Sequence, residues 1–256
     1  MDREGQITLD VDLASEVQQL LFPKSSPVCD WCCIGVRNRM ARGLGGDFFE
    51  FITMPDECQV VFIGDVTGHG LHASVVMSLL YGFIHEAAAK GCSPRETAHQ
   101  ANAFLRTFAK RSERLDHYFS TTLFFGVIEP RSLAMHYVNA GHVAPMVRRR
   151  DRIHRLDPTA QPLGFFDRPE IGMGEFHLQK DDRLFLFTDG IPEAFNARGK
   201  AFGLERLETI LLSHRGDHLD FLDRVFTSLR EFGAEDPPED DCTSIVIDLH
   251  GPFGPI

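Results

Sequence analysis

VVFIGDVTGHGLHA, residues 60–73, carries the strongest indication of the fold of this chain. Its first part, Val60–Ile63, is an apolar and largely β-branched run with the length of a buried strand. The run delivers Asp65 to a turn that contains two glycines, and an apolar segment compatible with a helix follows at once. This order of strand, carboxylate, glycine-rich turn and helix predicts a charged side chain at the rim of a core.

The same arrangement of an acid beside a strand occurs at three further places. LGGDFFEF places Asp47 between two glycines and an apolar run, FLFTDG ends a strand at Asp189, and DDCT opens the last strand with Asp240 and Asp241. Asp is common in turns at strand ends, so each acid alone could be a turn residue. The set instead favours a site for a hard cation, because Mg²⁺ and Mn²⁺ take oxygen ligands from several rigid elements.

Six motifs in this order resemble those of the PPM-type metal-dependent serine/threonine protein phosphatases, in the bacterial SpoIIE-like branch of sporulation and stress-response enzymes. They are LGGDFFEF, GDVTGHGLHA, YVNAGH, the Pro-Leu-Gly of QPLGFF, LFTDGIPEAFN and DDCTSIVI, and they cover nearly the whole chain. The resemblance implies an α+β fold, a four-layer α-β-β-α sandwich in which two antiparallel sheets are flanked by helices. It also implies two Mn²⁺ or Mg²⁺ ions and a phosphorylated protein as substrate.

The resemblance also implies the metal ligands, of which the four acids are the expected catalytic residues. Asp65 would bridge both ions, and Val66 would contribute its backbone carbonyl. Asp47 would bind one ion, and Asp189 and Asp240 would hold the other. Asp240 is preferred to its neighbour because the family's acid is the first residue of its pair. Water activated between the two ions would then attack the phosphorus.

Two departures from the eukaryotic branch of the family concern residues that handle the phosphate. Thr67 occupies the position of a histidine that is a candidate general acid there, and His69 lies two residues further on. For His69 and His142, a role near the site and a role in holding a turn both remain open. The sequence contains no clear counterpart of the phosphate-binding arginine, for which three nearby residues are candidates: Arg37, Arg39 and Arg42.

The composition is that of an ordinary globular protein of 256 residues, long enough for a sizeable core. The formal net charge of -11 argues against binding to nucleic acids or anionic membranes. No apolar run is long enough to span a bilayer, and MDREGQ does not begin a signal peptide, so we expect a cytoplasmic protein. Cys29, Cys32 and Cys33 lack the second half of a zinc site, so we expect them to be free thiols.

Helical spacing of apolar residues predicts an N-terminal amphipathic helix over 8–22. We divide the chain into this linker or regulatory helix, 1–23, and a phosphatase domain, 24–251. The apolar stripe of the helix consists of Leu9, Leu13, Val17 and Leu20. The stripe either packs on its own domain or forms an interface with a second copy or a regulatory partner. Since few residues precede it, we expect the chain to work alone or to receive its signal from another protein.

The remaining periodicity predicts alternating groups of strands and helices. Helices are expected at 71–90, 94–110, 204–212 and 219–232. Strands are expected at 31–37, 60–63, 121–128, 134–139, 144–148, 174–178, 183–188 and 244–249, besides the run after Asp47. Strands, two helices, strands, two helices and a strand indicate α+β layers rather than strict βαβ alternation.

The leading hypothesis is a protein phosphatase that acts on phosphoserine or phosphothreonine. In this branch the implied substrate is an anti-sigma-factor antagonist or a similar partner-switching regulator. Two alternatives are a phosphatase of small phosphorylated metabolites or phosphodiesters, which the same two ions could serve, and a non-catalytic binding scaffold. The presence of all four acids weighs against the scaffold.

Overall fold

The computed structural model describes residues 3–23, 29–41, 43–91, 93–111, 119–235 and 237–251. The helices in these ranges are α1 Arg3–Leu21, α2 Leu71–Ala89, α3 Pro94–Ala109, α4 Leu204–Ser213 and α5 His218–Phe232. The strands are β1 Cys32–Arg39, β2 Asp47–Thr53, β3 Gln59–Val66, β4 Thr121–Ile128, β5 Ala134–Ala140, β6 Met146–Arg149, β7 Arg152–Arg155, β8 Gly174–His177, β9 Arg183–Phe187 and β10 Cys242–Leu249.

The strands form two antiparallel sheets of five strands each, with the orders β1-β10-β9-β6-β7 and β2-β3-β4-β5-β8. Helices α2 and α3 pack on the second sheet, and α4 and α5 pack on the first. The four-layer α-β-β-α sandwich that the resemblance implies is therefore confirmed. None of the helices in the described ranges has both the length and the apolar character needed to cross a membrane.

Strand β9 shows how an alternating strand joins two layers. Leu184 and Leu186 belong to the core between the two sheets, whereas Phe185 and Phe187 belong to the core under α4 and α5. Successive side chains of a strand point to opposite faces, so one apolar run can serve both cores. All four side chains are fully buried, and burying each is worth about 1.5–3 kcal/mol.

Several predicted boundaries need correction. Helix α1 begins at Arg3 rather than at residue 8. The first turn was not predicted because it is mostly polar and has no apolar periodicity. Strand β7 was not predicted, since its sequence, RIHR, is mostly polar and half exposed at a sheet edge. Strand β6 begins at Met146 rather than residue 144, because Pro145 has no N–H to donate to a ladder.

The stripe of α1 does not pack on its own domain where its side chains are described. Leu13, Val17 and Leu20 are 51%, 62% and 63% exposed. The inward face of α1 instead carries Gln18, which is 2% exposed. The side chain of Leu9 lies outside the described residues.

Candidate active site

Two of the predicted ligands lie opposite each other on neighbouring strands. Asp47, the first residue of β2, is paired with Asp65 near the end of β3 in the antiparallel ladder. A Cβ atom at Gly46 would lie 2.7 Å from the carbonyl oxygen of Val66 and 2.8 Å from Oδ1 of Asp65. Glycine is therefore required here, because any larger residue would collide with two of the predicted ligands.

The carboxylate of Asp47 is held from across the sandwich. It is 1% exposed, and its Oδ2 accepts hydrogen bonds from Thr188 Oγ1 at 2.8 Å and Thr243 Oγ1 at 2.5 Å. Asn38 Nδ2 donates to the same Thr243 hydroxyl at 2.7 Å. Neither threonine was predicted from the sequence, although each lies within three residues of a predicted acid, in TDG and DDCT, and this proximity was the available signal.

The other two acids follow β9 and precede β10. Gly190 brings the two segments together, since a Cβ atom there would lie 2.1 Å from the backbone oxygen of Asp241. Asp241 is buried, and its two carboxylate oxygens accept the N–H groups of Ala41 and Gly46, each at 2.8 Å. Asp240 is exposed, and its Oδ1 accepts the backbone N–H of Asp241 at 2.8 Å, whereas the carboxylate of Asp241 fastens the β1–β2 loop.

The acids share one electrostatic environment. Burial raises the pKa of Asp65 to about 8, and the negative charges of Asp189, Asp240 and Asp241 add to this increase. Burial, and to a smaller extent the charge of Asp65, raise the pKa of Asp47 well above its usual value. The hydrogen bonds from the two threonines lower this pKa but do not offset the increase. Burial and the charge of Asp240 likewise raise the pKa of Asp189. Among the described residues, no cationic side chain contributes to the pKa shifts of these three acids, and a bound cation would relieve the repulsion.

The donor set fits a hard divalent cation, although it does not form a closed cage. No three acidic, histidine or cysteine side chains in the described ranges are arranged as a ready-made ion site. Mg²⁺ commonly uses one or two protein carboxylates and keeps several waters, so a closed cage is not required. The structure thus brings Asp47 and Asp65 together directly, and it brings Asp189 and Asp240 within their electrostatic influence.

His142 holds strands together and is buried away from solvent. It is 2% exposed, its ring Nδ1 lies 3.0 Å from Thr122 Oγ1, and its backbone N–H donates to Asn139 Oδ1 at 2.8 Å. Burial lowers the pKa of the imidazole to about 4, although a hydrogen bond with the Phe187 backbone opposes this. The ring is therefore neutral at pH 7, and of the two roles left open for His142 the structure favours the structural one.

The structure also sorts the candidate residues for the phosphate. Arg37 is exposed and pairs with Asp223 of α5 at 3.0 Å, whereas Arg42 lies outside the described residues. Arg39 stacks on the ring of Phe226, 5.2 Å from its centre, and lines a depression beside the acids. His69 lines the same depression. Of the two arginines that the structure describes, Arg39 is thus the one placed beside the site.

The cysteines near the start of β1 lie away from these acids. Cys29, Cys32 and Cys33 are free thiols, and Cys33 Sγ lies 3.1 Å from His250 Nε2. These contacts join the start of β1 to the end of β10, on which Leu249 is paired with Cys32. The thiols therefore belong to the opposite end of these strands from Asp240.

Comparison with known proteins points to one family. The profile of Stage II sporulation protein E (SpoIIE) matches residues 55–250. Protein IcfG of Synechocystis sp. is 25% identical over 96% of this chain and 42% of its own length. Phosphoserine phosphatase RsbP of Bacillus subtilis is 26% identical over 80% of this chain and 49% of its own length. This chain therefore covers less than half the length of either relative.

A solved structure shows the same fold over the full length of the chain. The SiaA-PP2C domain of Pseudomonas aeruginosa superimposes with a TM-score of 0.81 at 19% sequence identity, over 98% of both chains. At this identity the likeness concerns the fold. It supports the arrangement of layers described above independently of the sequence motifs.

Proposed function

Because the chain belongs to the Stage II sporulation protein E family, a branch of the PPM-type protein phosphatases, we propose that it hydrolyses phosphoserine or phosphothreonine on a regulatory protein in the cytoplasm. We further propose that this protein is an anti-sigma-factor antagonist or a similar partner-switching regulator. The observation that carries the proposal is the set of acids around Asp65, which repel one another at one edge of the sandwich. A relative named as a phosphoserine phosphatase supports the choice of substrate residue.

We propose that the acids hold two Mn²⁺ or Mg²⁺ ions. The ligands would be the carboxylates of Asp47, Asp65, Asp189 and Asp240 and the backbone carbonyl of Val66. When bound, the ions supply an activated water and the positive charge that a phosphate ester needs for in-line attack. The hydrolysis of phosphate monoesters is among the slowest uncatalysed reactions, so an enzyme for it must supply one of the largest rate accelerations known.

The protein's own residues prepare this site in three ways. Thr188 and Thr243 fix the carboxylate of Asp47 at the junction of the two sheets. Gly46 leaves the carbonyl of Val66 uncovered by a side chain. The raised pKa of Asp65, about 8, means that this carboxyl holds a proton at pH 7 in the ion-free chain. Cation binding therefore releases protons and strengthens as the pH rises.

Turnover of para-nitrophenyl phosphate with and without Mn²⁺ tests the reaction class. We expect activity that requires Mn²⁺ or Mg²⁺ and disappears on chelation. A comparison of phosphoserine peptides with sugar phosphates at equal concentration then tests the substrate class, and we expect the peptides to be preferred. Preference for sugar phosphates would support the metabolite alternative, and absence of any metal-dependent turnover would support the binding scaffold.

A phosphorylated anti-sigma-factor antagonist tests the finer part of the proposal. We expect this antagonist to be dephosphorylated completely, with a higher kcat/KM than an unrelated phosphoprotein. Phosphate-affinity gel electrophoresis measures both rates. The Asp65→Asn variant serves as the inactive control. Equal rates on the two phosphoproteins would contradict the assignment of the substrate while leaving the phosphatase activity in place.

A further inference from the structure

A depression of about 260 Å³ adjoins the candidate metal site, beside β10 and the C-terminal half of α5. Gly190 and Asp240 line it and also belong to the acid cluster, so the two sites are continuous. Pockets for small molecules usually measure about 300–1,000 Å³, so this one is small for a complete metabolite. Its position makes it accessible to a group attached to the phosphorylated residue.

The walls of the depression are mainly apolar. They include the side chains of Ala194, Phe195, Phe226, Leu229 and Pro238. Phe226 and Leu229 are each 6% exposed and packed into the core under α5, so this side of the wall is rigid. Phe195 is 45% exposed and forms the side that faces solvent. An aliphatic side chain entering here would lose contact with water against both sides.

The rim of the depression carries charges of both signs. Glu193, Glu235 and Glu239 are exposed carboxylates, whereas Arg39 and Arg230 are the cations. Three carboxylates at the mouth disfavour small metabolites that carry further negative charge. A rim with both donors and acceptors instead suits the amide groups of an extended peptide, whose backbone is neutral.

We propose that this depression binds an apolar side chain of the substrate protein, one or two positions from the phosphorylated residue. The inference rests on the phosphatase function proposed above and names a subsite of that function. An extended peptide advances about 3.3–3.6 Å per residue, so a phosphoserine at the acids places its neighbours at the depression. Binding of the side chain at such a subsite orients the phosphate for attack. A substrate without the side chain lacks this binding energy and should react more slowly.

Pairs of phosphoserine peptides test the proposal. The two peptides of a pair differ only in having Leu or Gly at one position, which is in turn each of the two residues before and the two residues after the phosphoserine. We expect the wild type to prefer Leu at one position by about tenfold in kcat/KM, as is typical of apolar pockets. We expect Phe195→Ala to bring this ratio close to one and Phe195→Leu to restore part of it. Since Phe195 is half exposed, neither substitution removes a core residue.

Met173→Ala is the matched control, because Met173 is also 45% exposed but lines a different depression. This variant should keep the wild-type ratio between Leu and Gly peptides. Peptide turnover without any preference for Leu, or a preference that survives Phe195→Ala, would overturn the inference alone. Absence of Mn²⁺-dependent turnover of both para-nitrophenyl phosphate and every peptide would instead overturn the proposed function, and this subsite with it.

Discussion

At the scale of single residues, Asp65 and Asp189 carry the proposed chemistry. We expect Asp65→Asn and Asp189→Asn each to abolish Mn²⁺-dependent hydrolysis of para-nitrophenyl phosphate, because each removes a charged ligand while keeping the side-chain shape. Both residues lie at strand ends outside the apolar clusters, so circular dichroism and melting should show a folded protein. Asp151→Asn, on the exposed β6–β7 turn, is the control. Turnover like that of the wild type in either site variant, at saturating Mn²⁺, would refute the two-ion assignment.

The acids could be predicted from the sequence because each has a local signature of Gly or Asp beside an apolar run. The residues that orient them have no such signature. Thr188 and Thr243 are 141 and 196 residues away from Asp47 along the chain, and only the stacking of the two sheets brings their hydroxyls to its carboxylate. The choice of Asp240 over Asp241 stays a prediction. The two backbone N–H groups that Asp241 accepts lie about 200 residues away along the chain, so the sequence could not show them.

His142 gives a pH dependence with a definite sign. Its pKa is about 4 in the folded chain and about 6.5 in the unfolded chain, so only the unfolded chain takes up this proton between those values. The free energy of unfolding should therefore fall by about 3 kcal/mol as the pH drops from 6.5 to 4, with no contribution above that window. Urea unfolding of wild type and His142→Gln across this range measures the difference. Parallel pH profiles of the two proteins would contradict the prediction.

At the scale of elements, helix α1 is fastened to the loop that carries the first acid. Gln18 Nε2 donates to the carbonyl of Gly45 at 2.8 Å, and Gln18 Oε1 accepts the N–H of Gly45 at 3.1 Å. Ser15 Oγ donates to the carbonyl of Gly43 at 2.7 Å. Gly45 stands two residues before Asp47, so the position of α1 bears directly on the position of this proposed ligand.

We therefore expect Gln18→Ala to weaken Mn²⁺ binding while the domain stays folded. The substitution leaves two buried backbone groups of Gly45 without partners, at a cost of about 1–3 kcal/mol. Loss of a group that hydrogen-bonds a metal ligand directly weakens metal sites about 10–100-fold, so for this contact two residues from Asp47 we expect the lower end, about tenfold, in a titration of activity against Mn²⁺. Gln19→Ala, on the exposed side of the same turn, is the control. An unchanged Mn²⁺ dependence would show that α1 does not position Asp47.

The elements that periodicity predicted well are those with an apolar side to bury. Strand β4 runs over Thr121–Ile128 as expected, and α5 begins one residue from the predicted start. Strand β7 escaped prediction because a half-exposed edge strand has no apolar face to reveal it. The inward face of α1 was not predicted for a related reason. Gln18 lies there and is held by hydrogen bonds, which a pattern of apolar residues cannot indicate.

At the scale of the whole molecule, the site acids oppose folding when no cation is bound. Burial and mutual repulsion raise the pKa values of Asp47, Asp65 and Asp189, and a cation that binds only the folded chain relieves this. Mn²⁺ at about 100 times its Kd should add about 2.7 kcal/mol, or roughly 5–10 °C in Tm. Thermal melts with Mn²⁺ and with chelator measure this shift, which Asp65→Asn should lose. A shift of equal size in that variant would place the cation elsewhere.

The exposed apolar surface of α1 and α2 is the other feature of the whole molecule. It consists of Leu13, Val17, Leu20, Leu71, Val75 and Leu79, which are 46–63% exposed. Contiguous apolar surface of this kind commonly marks an interaction site. Because α1 also holds the loop before Asp47, a partner seated on this surface could bias the site by preferring one position of the helix.

We expect the wild type to associate through this surface, with a second copy or a regulatory partner, and Leu13→Glu combined with Val17→Glu to abolish the association. Both side chains are more than half exposed, so the double variant should keep its melting temperature, whereas core residues would cost several degrees. Light scattering measures the mass, and para-nitrophenyl phosphate turnover should shift as α1 loses its partner. Leu219→Glu, at an exposed site on α5, controls for the added charge. If mass, partner binding and activity all stayed unchanged in the double variant, the surface would have no part in assembly or control.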